Sequence, residues 1–592
     1  MFRIGVPVSY FLIEEYMSAL ENLKKTTNLH DFSRMLGYKE KSLAYILYSP
    51  QYKNKYSSFT IPKKNGGTRV INAPDIKLKR VQKILADYLQ LCYEEIQKNH
   101  VDSKNARKKV VHGYRKNTSI ETNAYCHKNK RFILNLDLDN FFPSINFGRV
   151  YGFFIKDKHF GLSPQIATLI AQIVCYDNQL PQGAPTSPII SNFITKPLDT
   201  HLLKLAQKYN LTYTRYADDI TFSCNAKIFP TEVASFVDNQ WTIGSELDAI
   251  ISKSGFRINA NKTRMHYNDS RQMVTGLIVN KKVNIKREYY KKLRAQCHSL
   301  FNNGFFYSDK DKSDINALQK LEGRLNFVFY AKTFENNLHK KEAEMHEKSI
   351  KNLKLLTGKN KFYDNKRNER YCDVSLVTNL TAIHNLYVQF LIYKYFIKSK
   401  NTTILCEGKT DNIYIKCAVG KLREKTDFKH QLTFIPHSKM LRHLTEYVGG
   451  TEKLKTFCIN YKNIIEKFSK EKLPFPLIII VDNDKAGSEV FDLRTFKEIN
   501  KNVKFTFPNL YIIKLPSQLP QDCAIEDYFD EKIKTFNNKT FNKTNKNCSD
   551  TEFGKSIFAT KVVLKQRDSI DFSKFEPLLQ EIDNIINDYS TK

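Results

Sequence analysis

Two places in this 592-residue chain set carboxylates where they can do chemistry together with a cation. Asp218 and Asp219 stand side by side in Tyr216-Ala217-Asp218-Asp219, between two β-type segments, Leu211–Arg215 and Ile220–Ser223. Neighbouring carboxylates at a hairpin tip disfavour each other's charge unless a cation neutralises them. Upstream, Leu136-Asp137-Leu138-Asp139-Asn140-Phe141-Phe142 ends a second strand in acid. Two strands that deliver carboxylates to one place meet the needs of two-metal phosphoryl transfer. One ion activates the attacking hydroxyl and the other stabilises the leaving pyrophosphate. Asp137 and Asp139 share a strand face, so alternation alone does not choose between them. An Asp-Asp pair by itself is also common in surface turns, and its companions must decide.

The second place lies after residue 400. Strand-like Thr403–Cys406 runs into Glu407-Gly408-Lys409-Thr410-Asp411, and Leu477–Val481 runs into Asp482-Asn483-Asp484-Lys485-Ala486-Gly487. A glutamate after one hydrophobic strand and a D-x-D after another place three carboxylates at one sheet edge. The two aspartates of a D-x-D flank a turn and can share one Mg²⁺.

The elements that must position these groups are legible as patterns. Residues 1–50 read as mostly helical. Phe59–Ile71 reads as a hairpin about Asn65-Gly66-Gly67. Residues 76–99 carry helical periodicity, Arg131–Leu138 and Thr212–Ser223 read as strands, and 286–300 and 315–335 read as helices. Residues 335–372 read as a charged helix or connector, and 535–550 as an Asn/Lys-rich polar loop. After residue 400, β–α alternation predicts a parallel sheet with ligands at the carboxyl ends of its strands. Lys286, Arg287, Lys291, Lys292 and Arg294, interleaved with Tyr289 and Tyr290, form a basic, aromatic helix suited to tracking a nucleic-acid backbone.

Composition narrows the classes. The length suggests about three to five domains. Lys and Arg number 94 against 61 Asp and Glu, a net charge of +33, which calls for a polyanionic partner. Nucleic acid is the expectation and an anionic membrane surface the rival. No apolar run approaches the roughly 18 residues of a membrane span. The N-terminal Arg3 and Ile4–Ile13 are closed by Glu14 and Glu15 without a signal-cleavage pattern, so a cytoplasmic location is expected. Eleven cysteines without a C-x-x-C pair read as reduced thiols, not as disulfides or a zinc ribbon.

The acidic motifs have companions in order. Asp137 with Phe141 and Phe142, then Leu180-Pro181-Gln182-Gly183-Ala184-Pro185-Thr186-Ser187-Pro188, then Tyr216–Asp219, then Gly255-Phe256 through Asn261-Lys262-Thr263-Arg264, resemble the successive motifs of reverse transcriptases. His112-Gly113-Tyr114, Asn123-Ala124-x-x-His127 and Val274-Thr275-Gly276 resemble marks of the bacterial retron type, and the resemblance spans roughly residues 30–335. It implies that Asp137 and Asp218 hold two Mg²⁺ ions with Asp219 in support, the four-residue spacing to Phe141 favouring Asp137 over Asp139. It also implies that Phe142 sits beneath the sugar and refuses a 2′-hydroxyl. Gln182 and Gly183 would meet the incoming dNTP, Lys262 would be a cation or proton donor at its pyrophosphate, and Lys63, Lys64 and Arg69 would clamp the triphosphate or a template phosphate. Asn123, His127, Val274, Thr275, Gly276, Arg287 and Lys291 would meet nucleic acid.

The later motifs resemble the TOPRIM fold of topoisomerases, primases and small nucleases. That resemblance implies Glu407 as acid/base or metal ligand, and Asp482 and Asp484 as ligands for one or two further Mg²⁺ ions, with Mn²⁺ an alternative. Glu526 and the Glu552–Lys555 stretch could close that site. Together the chain resembles fused retron reverse transcriptase–TOPRIM proteins. The expected fold is a multidomain α/β and α+β chain. Residues 1–282 would be the fingers and palm of a right-hand polymerase, 283–395 thumb and connector, and 396–592 a Rossmann-like TOPRIM domain with a C-terminal extension. The family implies reverse transcription of an adjacent noncoding RNA from a guanosine 2′-hydroxyl. The product is a retained, branched RNA–DNA hybrid, the msDNA, which permits a homo-oligomer organised upon it. The family also implies an RNA- or DNA-cleaving effector in antiphage defence. The alternative is an intron-type mobile-element enzyme whose TOPRIM module binds nucleic acid without cutting it.

Overall fold

A computed structural model describes residues 18–50, 52, 55–63, 66–98, 110–306, 316–357, 382–437, 451–468, 473–506, 508–516, 523–543, 549 and 551–591. By contact the chain divides into two units, Met1–Lys286 with Ala331–Ser349, and Arg287–Tyr330 with Ile350–Lys592.

In the first unit β1 (Tyr56–Pro62) and β2 (Thr68–Pro74) form the expected hairpin, with Phe59 opposite Ile71 and Ile61 opposite Arg69. Gly66 and Gly67 take positive φ in the turn, as their lack of a Cβ allows. A four-stranded antiparallel sheet follows, ordered β4-β5-β3-β8. Its strands are β3 (Phe132–Asp137), β4 (Thr212–Tyr216), β5 (Asp219–Cys224) and β8 (Arg264–Tyr267). Two small hairpins complete the unit's strands: β6 (Ala234–Val237) with β7 (Gln240–Ile243), and β9 (Met273–Val274) with β10 (Leu277–Ile278). Ile133, Leu134 and Leu136 of β3 are all buried, because the strand is covered on both faces. Helices Phe147–Lys156, Pro164–Val174, Ser187–Ile194 and Lys196–Lys208 contribute Phe154, Ile170, Phe193 and Leu202 to the core that also holds Leu134, Ile220 and Phe222. The predicted N-terminal helices are Ala19–Lys25, Leu29–Met35 and Glu40–Tyr48, and the predicted 76–99 helix is Ile76–Lys98. The apolar run Ile4–Ile13, Lys64 and Asn65 lie outside the described residues.

The second unit contains the basic helix, Arg287–Asn303, and a six-stranded sheet ordered β12-β11-β13-β16-β15-β14. Its strands are β11 (Thr402–Cys406), β12 (Leu432–Phe434), β13 (Leu477–Val481), β14 (Lys497–Asn500), β15 (Val503–Thr506) and β16 (Leu510–Lys514). The first four in order run parallel and the last two antiparallel. β11 and β13 are buried along their whole length, as central parallel strands must be. Helices Asp411–Leu422, Lys485–Phe491 and Glu576–Thr591 supply apolar faces. Helix Ala317–Thr357, which belongs to both units, extends well past residue 335 into the predicted connector.

The polar loop expected at 535–550 is corrected. β17 (Thr535–Phe536) and β18 (Lys539–Asn542) form a hairpin, and β19 (Glu552–Gly554) adds in parallel. Asn537 and Asn538 take φ 51° and 59° in its turn, a conformation Asn tolerates. The few aromatics in this polar stretch decide it, with Phe541 stacked 4.6 Å from Phe558 and packed on Phe553. Residues 544–548 and 550 lie outside the described residues. The nine described cysteines are free thiols. Among the described residues no helix is long and apolar enough to cross a membrane.

Candidate active site and a second carboxylate cluster

The β4–β5 hairpin closes through Ala217 and Asp218, with Tyr216 paired to Asp219 and Ala217 at φ 57°. β3 lies on the other side of β5, and its register sets Asp137 directly opposite Asp219. The Leu138 amide donates to the Asp218 carbonyl at 3.0 Å, and the Asn259 amide to the Asp137 carbonyl at 2.8 Å. Strand alternation left Asp137 and Asp139 equivalent and the spacing to Phe141 favoured Asp137; the register sets Asp137 against Asp219. Asp139 lies beyond the strand, exposed, and its amide donates to Arg257.

The three carboxylates strain one another electrostatically. Burial, then the charges of Asp218 and Asp137, push the Asp219 carboxyl up to about 7. Burial and Asp137 raise Asp218 as well. Lys262 answers part of this charge, its Nζ 2.8 Å from Asp137 Oδ1. Burial alone would lower that ammonium's pKa, and the bond to Asp137 raises it. Among the described residues no three His, Cys, Asp or Glu side chains enclose a cation as they stand. The donor set nevertheless fits one, since crowding that pushes Asp218 and Asp219 upward is what a hard divalent ion relieves.

Beneath the turn is a buried network that the sequence reading did not single out. Arg215, completely buried, holds Asp199 through Nε–Oδ1 at 2.7 Å and Nη2–Oδ2 at 2.8 Å. Its Nη1 donates to the Ala217 carbonyl at 2.9 Å, and Tyr213 donates to Asp199 at 2.7 Å. Asn192 Nδ2 donates to the Gly113 carbonyl at 3.0 Å. Gly113 itself presses on the turn, where a Cβ would lie 2.4 Å from the Ala217 nitrogen. An Asp sixteen residues before an Arg leaves no local signal, because only packing of the helix on the sheet brings the two together.

The nucleotide-facing expectations distribute unevenly. The Gln182 carbonyl accepts from the Asn72 amide of β2 at 2.8 Å, and Gly183, at φ 126°, approaches the Asn72 carbonyl so closely that a Cβ would lie 2.8 Å from it. The Gln182 loop and the β1–β2 hairpin are therefore stitched together. Lys63 and Arg69 are exposed on that hairpin, and Arg69 reaches Asp218 and Tyr114 electrostatically. Phe142 is half-buried, its ring packed near those of Phe141 and Tyr114.

Direct nucleic-acid contact by Asn123, His127 and Val274 is corrected, because all three are buried. His127 staples the hairpin from inside, bonded to Ser223 and Thr214 at 2.7 Å each, and burial drives its pKa down to about 3. Neither side-chain polar atom of Asn123 has a hydrogen-bond partner. Thr275 and Gly276 do reach the site, lining with Asp219, Tyr216, Asn135 and Thr221 a groove of ≈ 320 Å³. Arg287 and Lys291 are exposed on their helix in the second unit.

In that second unit, Glu407 and Asp482 directly follow neighbouring parallel strands, with Cys406 in register with Ile480. Glu407 Oε1 accepts from Thr451 at 2.9 Å, while its Oε2 is buried without a partner. Asp484 caps helix Lys485–Phe491 by accepting from the Gly487 amide at 2.7 Å. The structure adds Asp411 to the predicted three and brings in Glu526, which the sequence offers as a further carboxylate. Asp411 accepts from the Gly408 amide at 2.7 Å, and the fully buried Glu526 pairs with Lys555 at 3.0 Å while its Oε1 has no partner. Burial, then Asp411, Glu407 and Glu526, push Asp482 up to about 8, and burial raises Glu407 too. Burial would lower the Lys555 ammonium, but Glu526 raises it. One lysine among five carboxylates leaves the cluster suited to further cations. Asp411 was within the quoted motif, but its role needed the fold.

Comparison with known proteins bears on the first site. Residues 61–294 match the family model described as reverse transcriptase (RNA-dependent DNA polymerase). The retron Ec86 reverse transcriptase of Escherichia coli is 34% identical over 46% of this chain and 78% of its own length. The retron Mx65 reverse transcriptase of Myxococcus xanthus is 32% identical over 43% and 58%, and the retron Ec73 enzyme of Escherichia coli 31% over 53% and 93%. A solved telomerase from Candida albicans with a fragment of telomeric RNA aligns over 57% of this chain and 64% of its own at 11% identity, with a TM-score of 0.30, too slight to bear on the fold. With its ordered motifs and paired acidic strands, the chain belongs to the retron reverse transcriptase family.

Proposed function

We propose that this reverse transcriptase copies part of a cognate noncoding RNA, with dNTPs, into DNA that it retains as a branched msDNA, and that the second unit is a TOPRIM nuclease effector acting in antiphage defence. The single observation that carries the polymerase reading is the register of β3 and β5, which sets Asp137 against Asp219 beside Asp218. These three carboxylates would hold two Mg²⁺ ions, which supply activation of the primer hydroxyl and neutralisation of the pyrophosphate. Lys262 would meet the triphosphate once such ions relieve it of Asp137. Phe142 would stand beneath the sugar, with Gln182, Gly183, Lys63 and Arg69 about the nucleotide. The basic helix Arg287–Asn303 would track the RNA–DNA backbone.

The effector reading rests on the adjacent parallel strand ends at Glu407 and Asp482, with Asp484 and the unpartnered oxygens of Glu407 and Glu526. The residues fit a hard divalent ion by donor type. The test expresses the gene with its flanking DNA and sizes the copurified nucleic acid before and after 2′–5′ debranching. A discrete DNA whose mobility shifts on debranching is expected, and it should vanish in Asp218→Asn. Normal DNA from that variant would sink the polymerase assignment. Glu407→Ala should keep the DNA and lose toxicity. Toxicity retained, with no cleavage of RNA or DNA in Mg²⁺ or Mn²⁺, would leave a module that binds without cutting.

A further inference from the structure

The backbone at Tyr114 stands at φ 58°, the left-handed region that a bulky residue enters only under strain. Glycine would sit there freely. Yet the position carries a ring that is 40% exposed, so burial does not account for it. The chain path here is set from below. Gly113 is pressed against Ala217, and its carbonyl is held by Asn192. Among the described residues the Tyr114 ring touches Phe142, with centroids 6.2 Å apart and planes at 36°. Phe142 also meets Phe141, at 5.4 Å and 53°, which in turn lies 5.8 Å from Phe256. Phe142 thus stands in a row of rings of which Tyr114 is the outer member. Burial, then Asp218, pushes the phenol up to about 12, so it stays neutral beside the carboxylates.

We propose that Tyr114 is a second determinant of sugar selection, its ring packing on Phe142 in addition to Phe141 so that Phe142 cannot turn aside for a 2′-hydroxyl. The inference rests on the placing of Phe142 beneath the sugar, given above. Steric refusal works only if the refusing group is stiff, and a ring packed on one flank alone keeps a rotamer by which to yield. Tyr114 supplies a second packing partner.

The experiment uses the purified full chain on a heteropolymeric RNA template with a DNA primer, and compares kcat/KM for dGTP and GTP opposite one templating C. Four variants are read: Phe142→Ala, Tyr114→Gly, Tyr114→Ala and Tyr114→Phe. Tyr114→Gly suits the left-handed backbone, so its effect cannot be assigned to strain. Phe142→Ala, Tyr114→Gly and Tyr114→Ala should each lower the dGTP/GTP selectivity tenfold or more, through a rise in the GTP value. Tyr114→Phe, which keeps the ring, should stay within twofold of the parent. If Phe142→Ala relaxes selectivity and the Gly and Ala variants do not, the brace is refuted and the gate stands. If Phe142→Ala leaves selectivity intact, the gate reading falls and takes the brace with it. An equal loss of dGTP and GTP use in both Tyr114→Gly and Tyr114→Ala would also refute the brace, since a brace acts on selectivity.

Discussion

Gly113→Ala is a one-carbon change that should disable DNA synthesis. The added Cβ would lie 2.4 Å from the Ala217 nitrogen, 3.1 Å from the Tyr216 carbonyl carbon and 3.3 Å from the Ala217 Cα. All three atoms are backbone, so no flexible side chain can swing away. Ordinary contact begins at 3.4 Å, so the Ala217 nitrogen must recede by about 1 Å. The turn cannot simply retreat, because Arg215 holds the Ala217 carbonyl at 2.9 Å and is itself locked to Asp199. Asp218, the next residue, moves with it. A misplacement of about 1 Å at a reacting centre costs on the order of 10²-fold in rate, and overpacking a core costs about 1–3 kcal/mol in stability. The assay is single-nucleotide extension of a primed RNA template by the purified chain, read as kcat, beside urea unfolding. The control is Gly152→Ala in helix Phe147–Lys156, where the new Cβ meets nothing within 4 Å. It should be neutral, or stabilising by up to about 1 kcal/mol. If Gly113→Ala extends primers within twofold of the parent, the claim that this contact positions Asp218 is wrong.

Three further outcomes follow from the same geometry. Arg215→Met should destabilise the first unit by about 3–5 kcal/mol, because Asp199 is left buried and charged; adding Asp199→Leu should recover most of that loss in urea unfolding. In the second unit the folded Asp482 carboxyl, at about 8, binds its proton more tightly than the unfolded chain does, so in EDTA stability should fall as pH rises from about 4 to about 8 and then level. Asp482→Asn should flatten that slope, raising the melting temperature at pH 8.5 and changing it less at pH 5. Mg²⁺ should stabilise the first unit more at pH 8 than at pH 6, because below about 7 a proton on Asp219 competes with the ion. Asp219→Asn should remove most of that pH dependence in thermal unfolding.

Much of this protein is determined locally and could be read from the chain alone. The alternation in Thr212–Ser223, the Gly66-Gly67 turn and the continuous apolar run Leu477–Val481 are short-range patterns, and each became the element it predicted. The acidic strand ends were legible for the same reason, since a carboxylate just past a strand is a feature of neighbouring residues. Where the signal was sparse, as at Phe536 and Phe541, local polarity misled. Those strands exist because distant aromatics cover them.

Tertiary structure alone decided the rest. It set Asp137, which the spacing to Phe141 already favoured, directly against Asp219, because strand register is a property of the sheet. It turned His127 from a surface contact into an internal staple, and it buried Arg215 against Asp199 beneath the Ala217 turn. It also gathered Asp411 about Asp482 from 71 residues away, and set Glu526, offered by the sequence 44 residues on, beside it. Such long-range groups leave no periodic trace in a sequence. Their meeting depends on burial and chain path, and these are settled only when helices and sheets close over one another.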